Sequence, residues 1–384
     1  MPTKFEKNYF WPNQPQHNMT KRLYVAATNQ HVGKTTCTLG LVEAFRRSGH
    51  RVGYCKPVGQ EAIDVENLQV DKDAVLFSTM MHFDLVARIH SPVILGRGAT
   101  QAYLDDPTKF PFESDIQAAG KFLEDQYEIV IYEGTGHPGV GSVVGLSNAD
   151  VAALLDAPAI LVVEGGVGYT IDRLNLCLSL FRERKVRIAG VIINKVLPDK
   201  TEKVRHYVGL KLAEWDIPLL GVLPYEKKLL YPLLSTISIA INGRVLFNPQ
   251  SLNLLVENVV AASLMGSHNF EEDQGVLLVV SKNRLNEALL GIQRLSKQKG
   301  LTKTPLAGII ITGDGKQLHH IEDFAHEQYV MDHQIPVIST PLDTYGTAVK
   351  ISHLEVKINV ETLGKASRAI ELVRDNLDLS KIKW

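Results

Sequence analysis

The chain has 384 residues, 45% of them hydrophobic, with 41 basic and 42 acidic side chains and a formal net charge of −1. That length and apolar content suit two domains with separate cores, and the balance of charge leaves no global basic footprint, so neither nucleic acid nor an anionic membrane is expected as a partner. Three cysteines, Cys37, Cys55 and Cys177, without CxxC spacing argue against a disulfide framework or a zinc ribbon and suit a reducing cytosol. No apolar run reaches the roughly 18 residues that a membrane span needs, and no apolar N-terminal segment suggests secretion. Residues 1–20 are polar and proline-containing and read as a flexible leader, from which Phe10 and Trp11 could dock on a surface.

After the leader, Leu23 to Thr36 (LYVAATNQHVGKTT) passes from an apolar run through a polar loop into Gly33-Lys34-Thr35-Thr36. The order strand, loop, helix predicts a phosphate loop: backbone N–H groups face a phosphate chain, Lys34 supplies charge and Thr35 offers a hydroxyl to Mg²⁺. The strict GxxxxGK[ST] pattern places its first glycine at Thr28, so an ordinary strand-to-helix turn, with Gly33 present for backbone freedom, stays open as the alternative. Helical spacing from Cys37 to Ser48 and a strand at Arg51 to Tyr54 complete a βαβ unit. The strand runs into Lys56-Pro57-Val58-Gly59; a lysine there points either into the ligand crevice of a parallel sheet or simply to solvent.

A loop-rich stretch from Gly59 to Phe112 contains a helix opening at Asp71-Lys72-Asp73-Ala74, and a buried strand then ends in Glu133-Gly134-Thr135-Gly136. A carboxylate in that position is where phosphate-loop enzymes keep a Mg²⁺-associated acid. Strands at Ala157 to Val163, Val186 to Ile193 and Leu219 to Leu223 alternate with helices, predicting a mainly parallel α/β sheet covered on both faces. The middle strand ends at Asn194-Lys195-Val196, with Asn194 either a base-reading amide or a turn former. His31 and His137 lie in the two loops, and the pair His319-His320 is expected at the head of a helix on a solvated face.

Past Pro224 a second α/β series begins, dividing the chain into domains at 21–224 and 225–384. It comprises a helix from Asn248-Pro249 through Leu252, Leu255 and Val259, strands at Gly275 to Val280, Leu306 to Ile311 and Ile335 to Ile338, and helices near Asn283 to Ser296, Gln317 to Tyr329, after Asp343 and after Glu361.

Together the first-domain motifs resemble dethiobiotin synthetase, a phosphate-loop enzyme that uses ATP, Mg²⁺ and CO₂. Ala27 followed by TNQHVGKT stands for its loop, Lys56-Pro57-Val58 for its KPV element, Asp73-Ala74 for its DA pair, Glu133-Gly134 for its EG loop and Asn194 for its base-reading residue. The resemblance implies that Gln30, His31, Val32, Gly33, Lys34, Thr35 and Thr36, with Gly134 and Asn194, hold the nucleotide. It implies further that Thr35, Asp73 and Glu133 hold Mg²⁺, that Lys56 sits on the γ-phosphate or carbamate side, with Lys34 and Lys56 the catalytic pair, and that the protein assembles as a homo-oligomer. Gln30 and Gly59-Gln60 depart from the family's substrate-side residues, which sets dethiobiotin formation aside while keeping ATP.

Ile309-Ile310-Ile311-Thr312-Gly313, Ile335-Pro336-Val337 and Asp343-Thr344-Tyr345 make the second half similar to a DRTGG domain, with its signature altered at Lys282-Asn283-Arg284 and Asp314. The two resemblances together cover the front two-thirds of a long phosphate acetyltransferase and leave out its acetyltransferase domain, so that activity is not expected. What they imply is ATP hydrolysis or phosphoryl transfer activating a small carboxyl or carbamate substrate, beside a regulatory domain. The competing class is a nucleotide-gated sensor.

Overall fold

The structure is a computed structural model that describes residues 20–65, 68–262, 275–313, 315–354 and 356–384. The expected leader lies outside this range except for Thr20, whose hydroxyl donates to the carbonyls of Glu124 (2.9 Å) and Tyr127 (3.1 Å). Asp314 also lies outside it. The described residues group into two compact units, one lying within 20–225 together with 369–384 and one within 226–368. The two units meet in sequence at 225/226, and the last sixteen residues group with the first unit.

In the first unit, strands β1 (Lys21–Ala27), β2 (Val52–Cys55), β7 (Ile129–Glu133), β8 (Ala159–Glu164), β9 (Ile188–Val196) and β10 (Leu219–Pro224) form one parallel sheet in the order β10-β9-β8-β1-β7-β2. Between β2 and β7 lie the short pair β3 (Val58–Gly59) with β6 (Val93–Ile94) and the antiparallel pair β4 (Ala62–Val65) with β5 (Leu68–Asp71). Leu23 to Ala27 are buried, as befits a central strand covered on both faces. After β1 the chain goes to the edge strand β2, returns through β7 beside β1, and then crosses to β8 on the other side of β1. The crevice at such a reversal of strand order is where open α/β sheets bind ligands. Helix α1 (Lys34–Arg47) starts there.

The C-terminal segment is held to this unit by main-chain and side-chain bonds. The Asp378 N–H donates to Leu220 O (2.8 Å) and the Lys383 N–H to Ala189 O (3.0 Å). Lys383 pairs with Asp216 at 2.6 Å, and Trp384 lies under the Lys21 ammonium, 4.5 Å from the ring centre. Val373 fills the space above Gly40 of α1, where an added Cβ would stand 2.1 Å from it. Periodicity placed a helix after Glu361 correctly but carries no information on which core that helix joins.

The second unit holds β11 (Arg244–Phe247), β12 (Asn258–Ala261), β13 (Val276–Ser281), β14 (Leu306–Thr312) and β15 (Val337–Thr340) in the order β11-β15-β14-β13-β12, parallel except for β11. The helix expected through Leu252, Leu255 and Val259 is replaced by a single turn at Pro249–Ser251 and then β12. Val259 and Val260 pair with Leu277 and Leu278 of β13, where β-branched residues fit better than in a helix. The helix expected from Gln317 to Tyr329 shortens to Glu327–Asp332, because Gln317 and Leu318 bond Ser339 of β15 instead of closing a helical turn. His319 and His320 are therefore exposed bend residues rather than a helix start. Among the described residues no helix is long and apolar enough to cross a membrane.

One buried group has a pH consequence. The His90 ring stacks on Phe83 with centroids 4.3 Å apart, and its Nδ1 accepts the Val86 N–H at 3.0 Å. Burial pushes its pKa down from 6.5 to about 4. Between those values the unfolded chain holds a proton that the folded chain does not, so stability is intact above pH 6.5 and falls as pH drops, by about 3 kcal/mol in all. His90→Asn is expected to remove about one proton from the slope of unfolding free energy against pH across this window, read from urea melts at several pH values. An unchanged slope would mean that His90 does not titrate there.

Candidate functional site

The loop after β1 begins with Thr28, whose N–H still bonds Val162 O as a strand residue would (2.9 Å). The chain then turns through His31 (φ 58°) and Gly33 (φ 95°), both left-handed, and enters α1 at Lys34. This helix start has no side-chain cap and no acidic residue in its first turn, so its N–H groups and the positive end of its dipole are available to an anion. Gln30 and His31 are exposed on the loop, while Val32 is buried beneath it.

Side chains from four parts of the chain meet beside this loop. The Thr35 hydroxyl donates to Glu133 Oε1 at 2.9 Å, Lys56 Nζ stands 3.5 Å from the same oxygen and also pairs with Asp73, and Lys34 Nζ donates to Gly136 O at 3.2 Å. Glu133 is fully buried and Lys56 nearly so. Burial alone would lower the Lys56 pKa, but Asp73, Glu133 and Asp71 around it hold the ammonium well above its usual value. For Glu133, burial pushes the carboxyl up while Lys56 opposes the shift. Asp71 follows the same pattern, raised by burial and opposed by Lys56. Four residues singled out in the sequence, Thr35, Lys56, Asp73 and Glu133, thus form one charged cluster at the strand ends.

Residues that sequence reasoning missed hold this cluster in place. Asp71 caps the helix α2 (Lys72–Met81) by accepting the Asp73 N–H (3.0 Å), and its other oxygen accepts the N–H groups of Gln60 (3.1 Å) and Glu61 (3.3 Å). Gly59 leaves room for this carboxylate, since a Cβ there would lie 2.5 Å from that oxygen and push Asp71 aside. Asn148 organises the loop after Glu133: its Oδ1 accepts from Thr135 N–H and Tyr24 O–H, and its Nδ2 donates to the carbonyls of Thr135 and His137. Gly134 allows this approach, as a Cβ would stand 2.0 Å from Asn148 Oδ1. The one available signal was the S-x-x-D capping box at Ser147 and Asp150, which marks a helix start but not its Asn. Asn194 lies among the last residues of β9, is buried, and donates its amide to Val32 O at 2.8 Å.

Among the described residues no three His, Cys, Asp or Glu side chains are grouped to hold a metal. Mg²⁺ in phosphate-loop sites takes one or two carboxylates together with hydroxyl and water oxygens, and the facing Thr35 hydroxyl and Glu133 carboxylate, with Asp73 across Lys56, are a donor set of that kind.

A family model described as an AAA domain matches residues 21–232, more than half of the chain. The chain belongs to this AAA-domain family. The AAA domain thus contains every residue of the cluster, and a DRTGG domain model matches residues 236–354. The phosphate acetyltransferase of Nitratidesulfovibrio vulgaris is similar at 24% identity over 376 residues, covering 95% of this chain and 51% of that protein. That of Synechocystis sp. is similar at 24% over 382 residues, with the same two shares. The chain therefore spans about half the length of the curated relatives it matches, less than the two-thirds expected from the motifs. Among solved structures, the MinD cell division protein of Aquifex aeolicus is similar at 15% identity over 55% of this chain and 84% of that one, with a TM-score of 0.36.

Proposed function

We propose that the AAA domain binds ATP with Mg²⁺ and uses it for hydrolysis or phosphoryl transfer to a small carboxyl, carbamate or amine substrate, with the DRTGG domain as a regulatory module. The observation that carries this reading is the convergence of the loop hydroxyl Thr35, the buried Glu133 and the buried Lys56 at the end of the central strands. In this reading Lys34 leaves the Gly136 carbonyl to hold the phosphate chain, and the loop N–H groups orient it. Thr35, Glu133 and Asp73 would hold Mg²⁺, which supplies neutralisation of charge on the phosphate oxygens. Lys56, kept protonated by its acidic neighbours, would face the transferred phosphoryl group. Phosphoryl transfer asks the protein mainly for such positioning and charge stabilisation. Asn194, bonded to the loop, belongs to the cradle as much as to any base contact.

Turnover separates this reading from a sensor. Multiple-turnover phosphate release from ATP, stimulated by a small carboxylic acid or amine, is the expected result. Tight ATP binding without release would instead assign the domain a nucleotide-gated binding role, and no binding would remove both.

A further inference from the structure

The loop lacks the glycine that usually opens a phosphate loop, since Thr28 stands there and remains bonded as a strand residue. The turn is displaced to His31 and Gly33, and His31 adopts a left-handed conformation that L side chains rarely take. Such a residue persists when its surroundings fix it. Two adjacent side chains of β9 do so: Lys195 Nζ donates to His31 O at 2.5 Å and Asn194 Nδ2 donates to Val32 O at 2.8 Å. In a trans peptide the N–H points opposite to the C=O. Drawing these two successive carbonyls toward β9 therefore aims the N–H groups of Val32 and Gly33 away from it, side by side, as an anion-binding nest requires. A Cβ at Gly33 would be strained at φ 95° and would lie 2.1 Å from Asn194 Nδ2, displacing the amide that holds Val32 O. Lys195 is itself left-handed (φ 57°), and its Nζ is held by Glu164 Oε1 at 2.9 Å.

We propose that Lys195, backed by Glu164, is a positioning residue that pre-forms the loop for a polyphosphate anion, acting through the His31 carbonyl rather than by touching the ligand. This rests on the nucleotide reading above. An isolated surface ion pair would be nearly neutral; here the pair ends on the carbonyl of a strained loop residue.

The test uses the full chain, with ATP·Mg²⁺ and inorganic tripolyphosphate·Mg²⁺ as probes, and the variants Lys195→Met, Lys195→Arg and Glu164→Gln. Lys195→Met is expected to weaken both probes equally, by about tenfold, and Lys195→Arg to regain most of the loss. Glu164→Gln discriminates between mechanisms: a positioning role predicts weaker binding, whereas a simple charge effect predicts tighter binding because a negative charge near the anion is gone. Amide hydrogen exchange of residues 29–34 in the ligand-free protein should quicken in Lys195→Met. A loss confined to ATP, tighter binding by Glu164→Gln, or unchanged exchange and affinity in Lys195→Met would each overturn the proposal while leaving nucleotide binding in place. Wild-type protein that binds neither probe would remove the nucleotide reading and this inference with it.

Discussion

Lys34→Ala is expected to lower ATP·Mg²⁺ affinity by about a hundredfold while the protein stays folded. Truncating one partner of a buried charged hydrogen bond typically costs 2–5 kcal/mol or more, and Lys34 is the loop's own cation, placed at the uncapped start of α1. One partner in this structure is the Gly136 carbonyl at 3.2 Å, a main-chain acceptor that water can satisfy, and the buried Glu133 that Lys34 also stabilises keeps Lys56 beside it, so the fold is expected to survive the change. Titration calorimetry together with a thermal melt checks both halves of the statement. Unchanged affinity in a folded variant would sink the nucleotide assignment.

The second large effect concerns metal dependence. Glu133→Gln and Asp73→Asn preserve shape and remove charge, and each is expected to raise the Mg²⁺ concentration needed for ATP binding or turnover, a cost of about 1–3 kcal/mol. Glu133 should have the larger effect, because it touches the Thr35 hydroxyl directly whereas Asp73 reaches the cluster through Lys56. Affinity for the adenine end should change less. Mg²⁺ titrations at fixed ATP decide the matter, and wild-type curves for both variants would place the metal elsewhere.

Much of this arrangement was legible in the residues. The order of apolar runs predicts the parallel sheet, and the strand ends at Lys56 and Glu133 mark two charged side chains at the carboxyl edge of that sheet, although for Lys56 the residues alone leave solvent as the alternative. Period and composition ended this strand at Asn194-Lys195-Val196, as β9 does, but could not show that Asn194 bonds the phosphate loop. They also could not assign the last sixteen residues, because the bonds from Asp378 and Lys383 to Leu220 and Ala189 are main-chain bonds that any sequence can make. The supporting residues Asp71, Asn148 and Lys195 were hidden for a different reason. Each acts on backbone groups distant in sequence, or on a loop on another strand, and an isolated Asp, Asn or Lys has many ordinary uses. In the second unit, Val259 fitted a helical spacing, and only pairing with β13 made it a strand.

The most direct test is a structure of the full chain with a non-hydrolysable ATP analogue and Mg²⁺. The account predicts the phosphates on the N–H groups of residues 31–36, the metal between Thr35 and Glu133, and Lys56 beside the terminal phosphate with the acceptor site next to it. A nucleotide bound away from this loop, or phosphates seated there with Lys56 and Glu133 uninvolved, would contradict it.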